Sequence, residues 1–470
     1  MKKLIAITLA LILVLGLCAC DASEKKNASG LQVGYGRVNI TPSYPVNIAG
    51  SAADRTSLGA LDPIYITFVA LRYGEETFLV ATMDLVGAYK EYSAPAHSRV
   101  SQETGIPEDH IILNSTHTHS SVSIRDVENK GALQYREELY GWAADAAKAA
   151  LEDLSPAEVW YSSIQAEGMA WVRHYKMADG TYAGANYGSF TNSAIVGHAS
   201  EADTEMQIVK FVRPAEDKKD VVLVNFPAHA TMQKEDMISA DFPGPFRDYV
   251  SENTDTLVAY FIAGAGDQTP TSRVAAEQFS SNYSEYGKGL GCIAVEGLRN
   301  MTKLEGEDIS FSKRTFTGKS CKEDMDRMAD AQAVKIIWDQ VGGRGTDAGK
   351  KAAKEYGFSS VYEVTAILNR AGTPENRSMD LKTLAIGDVA FIFAPYEMFG
   401  SNAMQIKEGS PYAMTFVVTC SENHEGYLPS ALGCELRCYE AQITKYAYGT
   451  AELLVAEYLD MLNQMKNPQQ

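Results

Sequence analysis

Two histidines spaced two apart, in Ser115-Thr116-His117-Thr118-His119-Ser120, have metal-binding character. On extended backbone, residues i and i+2 point the same way, so both imidazoles can address one ion. Further along stand His229, in Asn225-Phe226-Pro227-Ala228-His229, and Glu397, in Phe393-Ala394-Pro395-Tyr396-Glu397. About three such donors plus a water make a catalytic zinc site, which activates the water toward an acyl carbonyl. The pattern HxH alone is a weak sign. His229 reads equally well as a loop histidine bonded to backbone, and a lone glutamate after a strand is usually solvated. Tyr427, in His424-Glu425-Gly426-Tyr427, fits either a site or a half-buried aromatic. His119 is the candidate acid or base for a leaving amine, because imidazole titrates near neutral pH. Thr269, in Gly266-Asp267-Gln268-Thr269-Pro270, offers a hydroxyl on a glycine-rich turn. It is expected to face the metal and to assist rather than attack, since a threonine needs an adjacent base to become nucleophilic.

Short apolar runs precede these residues and must position them. They are Ile111–Leu113, Val221–Phe226, Leu257–Ile262, Val389–Phe393 and Phe416–Val418. Runs this short and this rich in Val, Ile and Phe read as buried strands. Ligands of open α/β sheets sit beyond the carboxyl ends of strands, so one sheet edge is expected to gather the polar cluster. Residues 64–71 and 77–85 read as a hairpin about Gly74-Glu75. Residues 134–153 read as a helix with Leu139, Trp142, Ala143, Ala146 and Ala150 on one stripe. The Gly/Tyr/Ser-rich stretch 179–200 reads as a long ordered loop. Residues 322–370 read as a charged helical insertion broken at Gly342-Gly343, and 439–465 as one amphipathic helix. Strands alternate with helices, which makes the class α/β.

The 470 residues carry 42 Lys+Arg against 60 Asp+Glu, a formal charge of −18. Such a chain lacks the basic surface that phosphate backbones require, which excludes a nucleic-acid partner. The N-terminus has a short basic region and an apolar stretch, Leu4 to Leu17, of signal-peptide length. Leu17-Cys18-Ala19-Cys20 resembles a bacterial lipobox. Residues 1–19 would then be removed, Cys20 lipidated, and residues 20–30 would form a flexible tether to the membrane. The chain is thus expected to be an exported, membrane-anchored lipoprotein, the alternative being ordinary secretion. Cys434 and Cys438, four apart, are candidates to pair in an oxidising compartment.

Several phrases together resemble the neutral (non-lysosomal) ceramidases. They are Val33-Gly34-Tyr35-Gly36-Arg37-Val38-Asn39-Ile40-Thr41-Pro42, Thr116-His117-Thr118-His119-Ser120, Ser239-Ala240-Asp241-Phe242-Pro243-Gly244, Gly266-Asp267-Gln268-Thr269-Pro270, Pro395-Tyr396-Glu397, Gly426-Tyr427 and Tyr439-Glu440. The order is kept from about 31 to 460. The resemblance implies mixed sheets flanked by helices, in one catalytic domain over 31–465 with the insertion at 322–370. It implies one zinc held by His117, His229, Glu397 and Tyr427, with His119, Thr269, Asp267 and Arg173 around the reaction and Arg173 and Tyr439 on substrate. The implied reaction is hydrolysis of the amide of an N-acyl lipid such as ceramide. Three departures stand out. Thr269 replaces the family's serine, Ser121-Val122-Ser123 replaces a glycine-rich run, and the chain ends where long members continue into a β-sandwich. Alternatives are the same metal core acting on a different N-acyl or acyl substrate, or a non-catalytic ligand-binding lipoprotein.

Overall fold

A computed structural model describes residues 30–50, 55–125, 129–188, 191–274 and 278–468. The expected signal segment, most of the expected tether and Cys20 lie outside the described residues.

Each apolar run is a strand, and each is buried along its whole length except for the first residue of Leu257–Ile262. They belong to three sheets rather than one. The first sheet runs Ile111–Ser115, Glu76–Met83, Tyr65–Tyr73, Gln32–Asn39, Ser155–Pro156. The second runs Leu257–Ile262, Val221–Phe226, Glu205–Val212, Glu158–Gln165, Thr302–Lys303. The third runs Ile309–Lys319, Asn376–Ile386, Val389–Phe393, Met414–Val418. All are mixed. Each holds one parallel pair: Glu76–Met83 with Ile111–Ser115, Val221–Phe226 with Leu257–Ile262, and Val389–Phe393 with Met414–Val418.

The three sheets turn one face each onto a shared core, where Val69, Ile112, Leu223, Phe261, Phe391 and Phe416 meet. Alternate residues face outward onto helices. Thus Ile111 and Leu113 pack under helices Lys90–Thr104 and Lys130–Glu152. Val222 and Val224 pack under Pro243–Thr254 and Tyr283–Gly297. Ala390 and Ile392 pack under Gly400–Gly409 and Thr450–Lys466. Strands covered on both faces become continuous apolar runs, the signal visible in the sequence. Each fully buried Val, Leu or Phe in them contributes about 1.5–3 kcal/mol.

The hairpin forms as expected, between Tyr65–Tyr73 and Glu76–Met83, and the helix over 134–153 begins earlier, at Lys130, where Asn129 caps it. That helix explains the opening Gly34-x-Gly36. A Cβ on Gly34 would lie 1.9 Å from the Ala150 carbonyl oxygen, and one on Gly36 would lie 2.1 Å from that of Ala146.

Two element expectations are corrected. The stretch 179–200 is not a plain loop: Tyr182–Gly184 and Ile195–His198 flank His174–Met177 in a small antiparallel sheet. Strands of three and four residues are too short to show a period. The segment 439–465 is two helices, Tyr439–Ile443 and Thr450–Lys466. Between them Lys445 accepts the Cys321 N–H through its carbonyl, Tyr446 bridges Ser320, and Gly449 takes φ +87°. The insertion contains Met328–Gln340, Asp347–Glu355 and Val361–Arg370 around a small core of Val334, Trp338, Ala353 and Ile367. Gly342 and Gly343 break it with φ of +82° and +111°. Cys434 and Cys438 do not pair; Cys292, Cys321, Cys420, Cys434 and Cys438 are all free thiols. No helix among the described residues is long and apolar enough to cross a membrane.

Candidate metal centre and cleft

The carboxyl ends of the three parallel pairs converge. From the first sheet comes His117, two residues past Ile111–Ser115. From the second comes His229, three past Val221–Phe226, beside the turn Gly264-Ala265-Gly266 that follows Leu257–Ile262. From the third comes Glu397, four past Val389–Phe393. His117 Nε2 lies 3.2 Å from Glu397 Oε2, and His229 Nε2 lies 3.1 Å from the same oxygen. His119 Nε2 is 3.3 Å from His117 Nε2.

The backbone decides which nitrogens carry protons. His117 Nδ1 donates to the Val86 carbonyl at 2.6 Å, His229 Nδ1 to the Ala265 carbonyl at 2.5 Å, and His119 Nδ1 to the Gly50 carbonyl at 3.2 Å. A carbonyl only accepts, so each Nδ1 holds the hydrogen and each Nε2 turns a lone pair inward. Metal-bound histidines are fixed in this way. Two such nitrogens and a carboxylate oxygen within 3.2 Å repel one another unless a positive charge lies among them. Tetrahedral zinc with bonds of 2.0–2.1 Å separates its donors by roughly 3.3–3.4 Å, close to these spacings. The donor set therefore fits a zinc-sized cation.

The electrostatics agree. Burial pushes the Glu397 carboxyl up, but His117, His229 and His424 outweigh it and hold it well below the usual range. Burial and the Arg173 guanidinium push His229 down to about 4. Burial, with His117 and His229 nearby, keeps His119 neutral. For His117 burial favours the neutral ring, yet Cys420 and Glu397 reverse the balance and hold a proton there. A metal cation among the donors would take the place of that proton.

Tyr427 stands beside Glu397: the short strands Tyr427–Leu428 and Glu397–Met398 pair in parallel with those two residues in register. Neighbouring strands lie about 4.8 Å apart. Arg173 donates to the Tyr427 oxygen at 3.1 Å, to the Gly266 carbonyl at 2.8 Å and to Glu440 at 2.8 Å. Tyr439 lies edge-on to the Tyr427 ring at 5.9 Å. Both tyrosines line a cleft of about 570 Å³ that opens from His117, His119 and Glu397.

The remaining expected residues sit differently. Asp267 is buried behind the cleft, where Oδ1 accepts the Gly400 N–H at 2.8 Å and so caps helix Gly400–Gly409. Thr269 pairs with Trp171 in a two-residue strand, its hydroxyl 3.4 Å from that of Thr271, and it is not among the residues lining the cleft. Ser239 braces the histidine loop, donating its N–H to Ser120 and accepting from the Thr118 hydroxyl, while Asp241 Oδ2 accepts the Gln233 N–H at 2.9 Å.

Sequence reasoning assigned no role to four residues at this centre. His424 Nε2 lies 3.3 Å from Glu397 Oε1, and Cys420 Sγ lies 3.5 Å from His117 Nδ1. Buried Glu440 holds both buried His174 and half-buried Arg173. His424 and Glu440 adjoin Tyr427 and Tyr439 within phrases already singled out, so position in the phrase was the available signal. Four non-glycine residues near the centre, His117, Cys420, Glu422 and His424, have φ between +40° and +64°. Backbone strain of this kind gathers at functional sites.

This architecture is found in solved structures. "Ceramidase complexed with C2" superposes with a TM-score of 0.70 over 93% of this chain and 76% of that one, at 14% identity. The neutral ceramidase from Pseudomonas aeruginosa gives 0.67 over 93% and 74%, also at 14% identity. The chain has the fold of the neutral ceramidases. No model of a known protein family matches the sequence, and no curated protein matches it either.

Proposed function

We propose that this chain is a zinc-dependent amidohydrolase that cleaves the amide of an N-acyl lipid of the ceramide type. The carrying observation is the cluster of His117, His229 and Glu397, with lone pairs turned inward at the mouth of a cleft. When bound, zinc supplies Lewis acidity and an acidified water. The chain's own residues supply the rest. His117, His229 and Glu397 would hold the ion, with Tyr427 beside them. Arg173 lends its charge to the Tyr427 phenol and, through Tyr427, to an oxyanion in the cleft. His119 is a neutral imidazole with its Nε2 lone pair on the cleft side, so it takes a proton and passes it to the departing amine. The ceramidase fold favours an N-acyl substrate. We also propose that Cys20 is lipidated and holds the enzyme at the outer face of the membrane, near such substrates.

The test is zinc analysis of purified protein together with turnover of a fluorogenic N-acyl amide. About one zinc per chain is expected, with turnover abolished by a chelator and restored by zinc. A ratio near zero after reconstitution, or turnover indifferent to chelation, contradicts the reading.

A further inference from the structure

Among the described residues, the cleft walls carry the opposite charge from the molecule. The chain as a whole has a formal charge of −18. Yet the described lining of the cleft contributes Arg55, Arg125 and Arg344, and Glu397, committed to the metal, is its single carboxylate. Arg55 is already matched by Asp236 at 2.7 Å. The other two have no carboxylate partner among the described residues. Arg344 is held by the Thr365 hydroxyl at 3.1 Å and lies 5.9 Å from the centre of the Tyr362 ring. Arg125 lies 4.7 Å from the centre of the Tyr89 ring. A second cleft of about 560 Å³ adjoins the first at Gly50 and Tyr362, and its charged lining is Lys350 and Lys354.

Arg344 is linked to the metal centre by a run of rings. Tyr362 meets Tyr439 at 5.4 Å, and Tyr439 meets Tyr427 at 5.9 Å. Arg344, Tyr362, Lys350 and Lys354 all come from the helical insertion, so that insertion builds a cationic wall onto the site. A cleft lined by one sign of charge between low-dielectric walls concentrates the opposite charge. Guanidinium groups match carboxylate, sulfonate and phosphate oxygens in particular. A plain ceramide, with only hydroxyls at its head, would leave these groups unmatched.

We propose that the substrate is an N-acyl compound bearing an anionic group, sulfonate, phosphate or carboxylate, held by Arg344 and Arg125 while its amide lies at the metal centre. This rests on the amidohydrolase reading for the identity of the reacting bond, but not for the binding itself.

The experiment is calorimetric titration of the zinc-loaded chain with N-octanoyltaurine, N-octanoyl-O-phosphoethanolamine, N-octanoylethanolamine and inorganic phosphate. Turnover of the three amides is followed in parallel. The anionic amides should bind at least about tenfold more tightly than the ethanolamide, the effect of one charge-assisted contact of about 1.4 kcal/mol. Arg344→Gln combined with Arg125→Gln should erase that preference while leaving ethanolamide affinity, zinc content and melting temperature unchanged. Arg344→Lys should keep part of it. Equal affinities, or a preference that survives the double substitution, would overturn the proposal. So would inorganic phosphate binding as tightly as the phosphorylated amide, since the anion would then not be the substrate's own. Turnover without anion preference sinks this inference and leaves the hydrolase reading. Arginine-dependent preference without turnover does the reverse.

Discussion

Glu397 keeps its charge in a buried place because three imidazoles surround it, His117 and His229 on one oxygen and His424 on the other. His117→Ala and His229→Ala should each lose bound zinc, as measured by elemental analysis. His119 makes a close contact with His117 but none with Glu397, so His119→Ala should keep zinc and lose about 10²–10⁴-fold in rate, the range for a general acid–base. Glu440 is the counter-charge for Arg173 and His174 and is held far below the usual carboxylate range by them against its burial. A folded-state value below the unfolded one gives stability that is full above the unfolded value of 4.5 and declines as pH falls. Glu440→Ala should cost about 1.5–3 kcal/mol by taking the carboxylate from half-buried Arg173 and buried His174. The check is denaturant midpoints at several pH values, where the variant should show a smaller loss on acidification than the parent chain. At this scale the sequence was informative where a donor follows directly on an apolar run, as His117, His229 and Glu397 do. Cys420 was hidden because a buried cysteine looks like any small apolar residue.

At the scale of elements, the parallel strand pair is the device that repeats. Each of the three ends at the same place and delivers a donor or a supporting turn. The strand Glu397–Met398 is seated against Gly266, whose N–H donates to the Met398 carbonyl at 2.7 Å. A Cβ on Gly266 would lie 2.6 Å from the Glu397 carbonyl oxygen and 2.9 Å from that of Met398. Gly266→Ala should therefore displace Glu397 and weaken zinc affinity at least tenfold without removing a ligand, read by competition with a chelator. The five strands were legible because both faces are covered. That they belong to three sheets was not, since the pairing of distant strands leaves no local period. The break of 439–465 was equally invisible, because it is set by Cys321 and Ser320 from far away in the chain.

For the whole molecule, three sheets around one core make a rigid frame that brings segments some 300 residues apart within 3.2 Å. The lipidation proposed at Cys20 belongs to this scale too. Cys20→Ser should shift the protein from the membrane fraction to the soluble fraction, and a processed Cys20→Ser chain that stays with the membrane would contradict lipidation. One zinc should sit among donors from all three sheets. Anomalous diffraction from zinc-soaked crystals, recorded on both sides of the zinc edge, tests it directly. One strong peak is expected within about 2.0–2.2 Å of His117 Nε2, His229 Nε2 and a Glu397 oxygen. A peak at His174, Cys438 and Glu440 or at His117, Cys420 and His424 instead, two other buried groups of potential ligands among the described residues, or no peak at all, would contradict it.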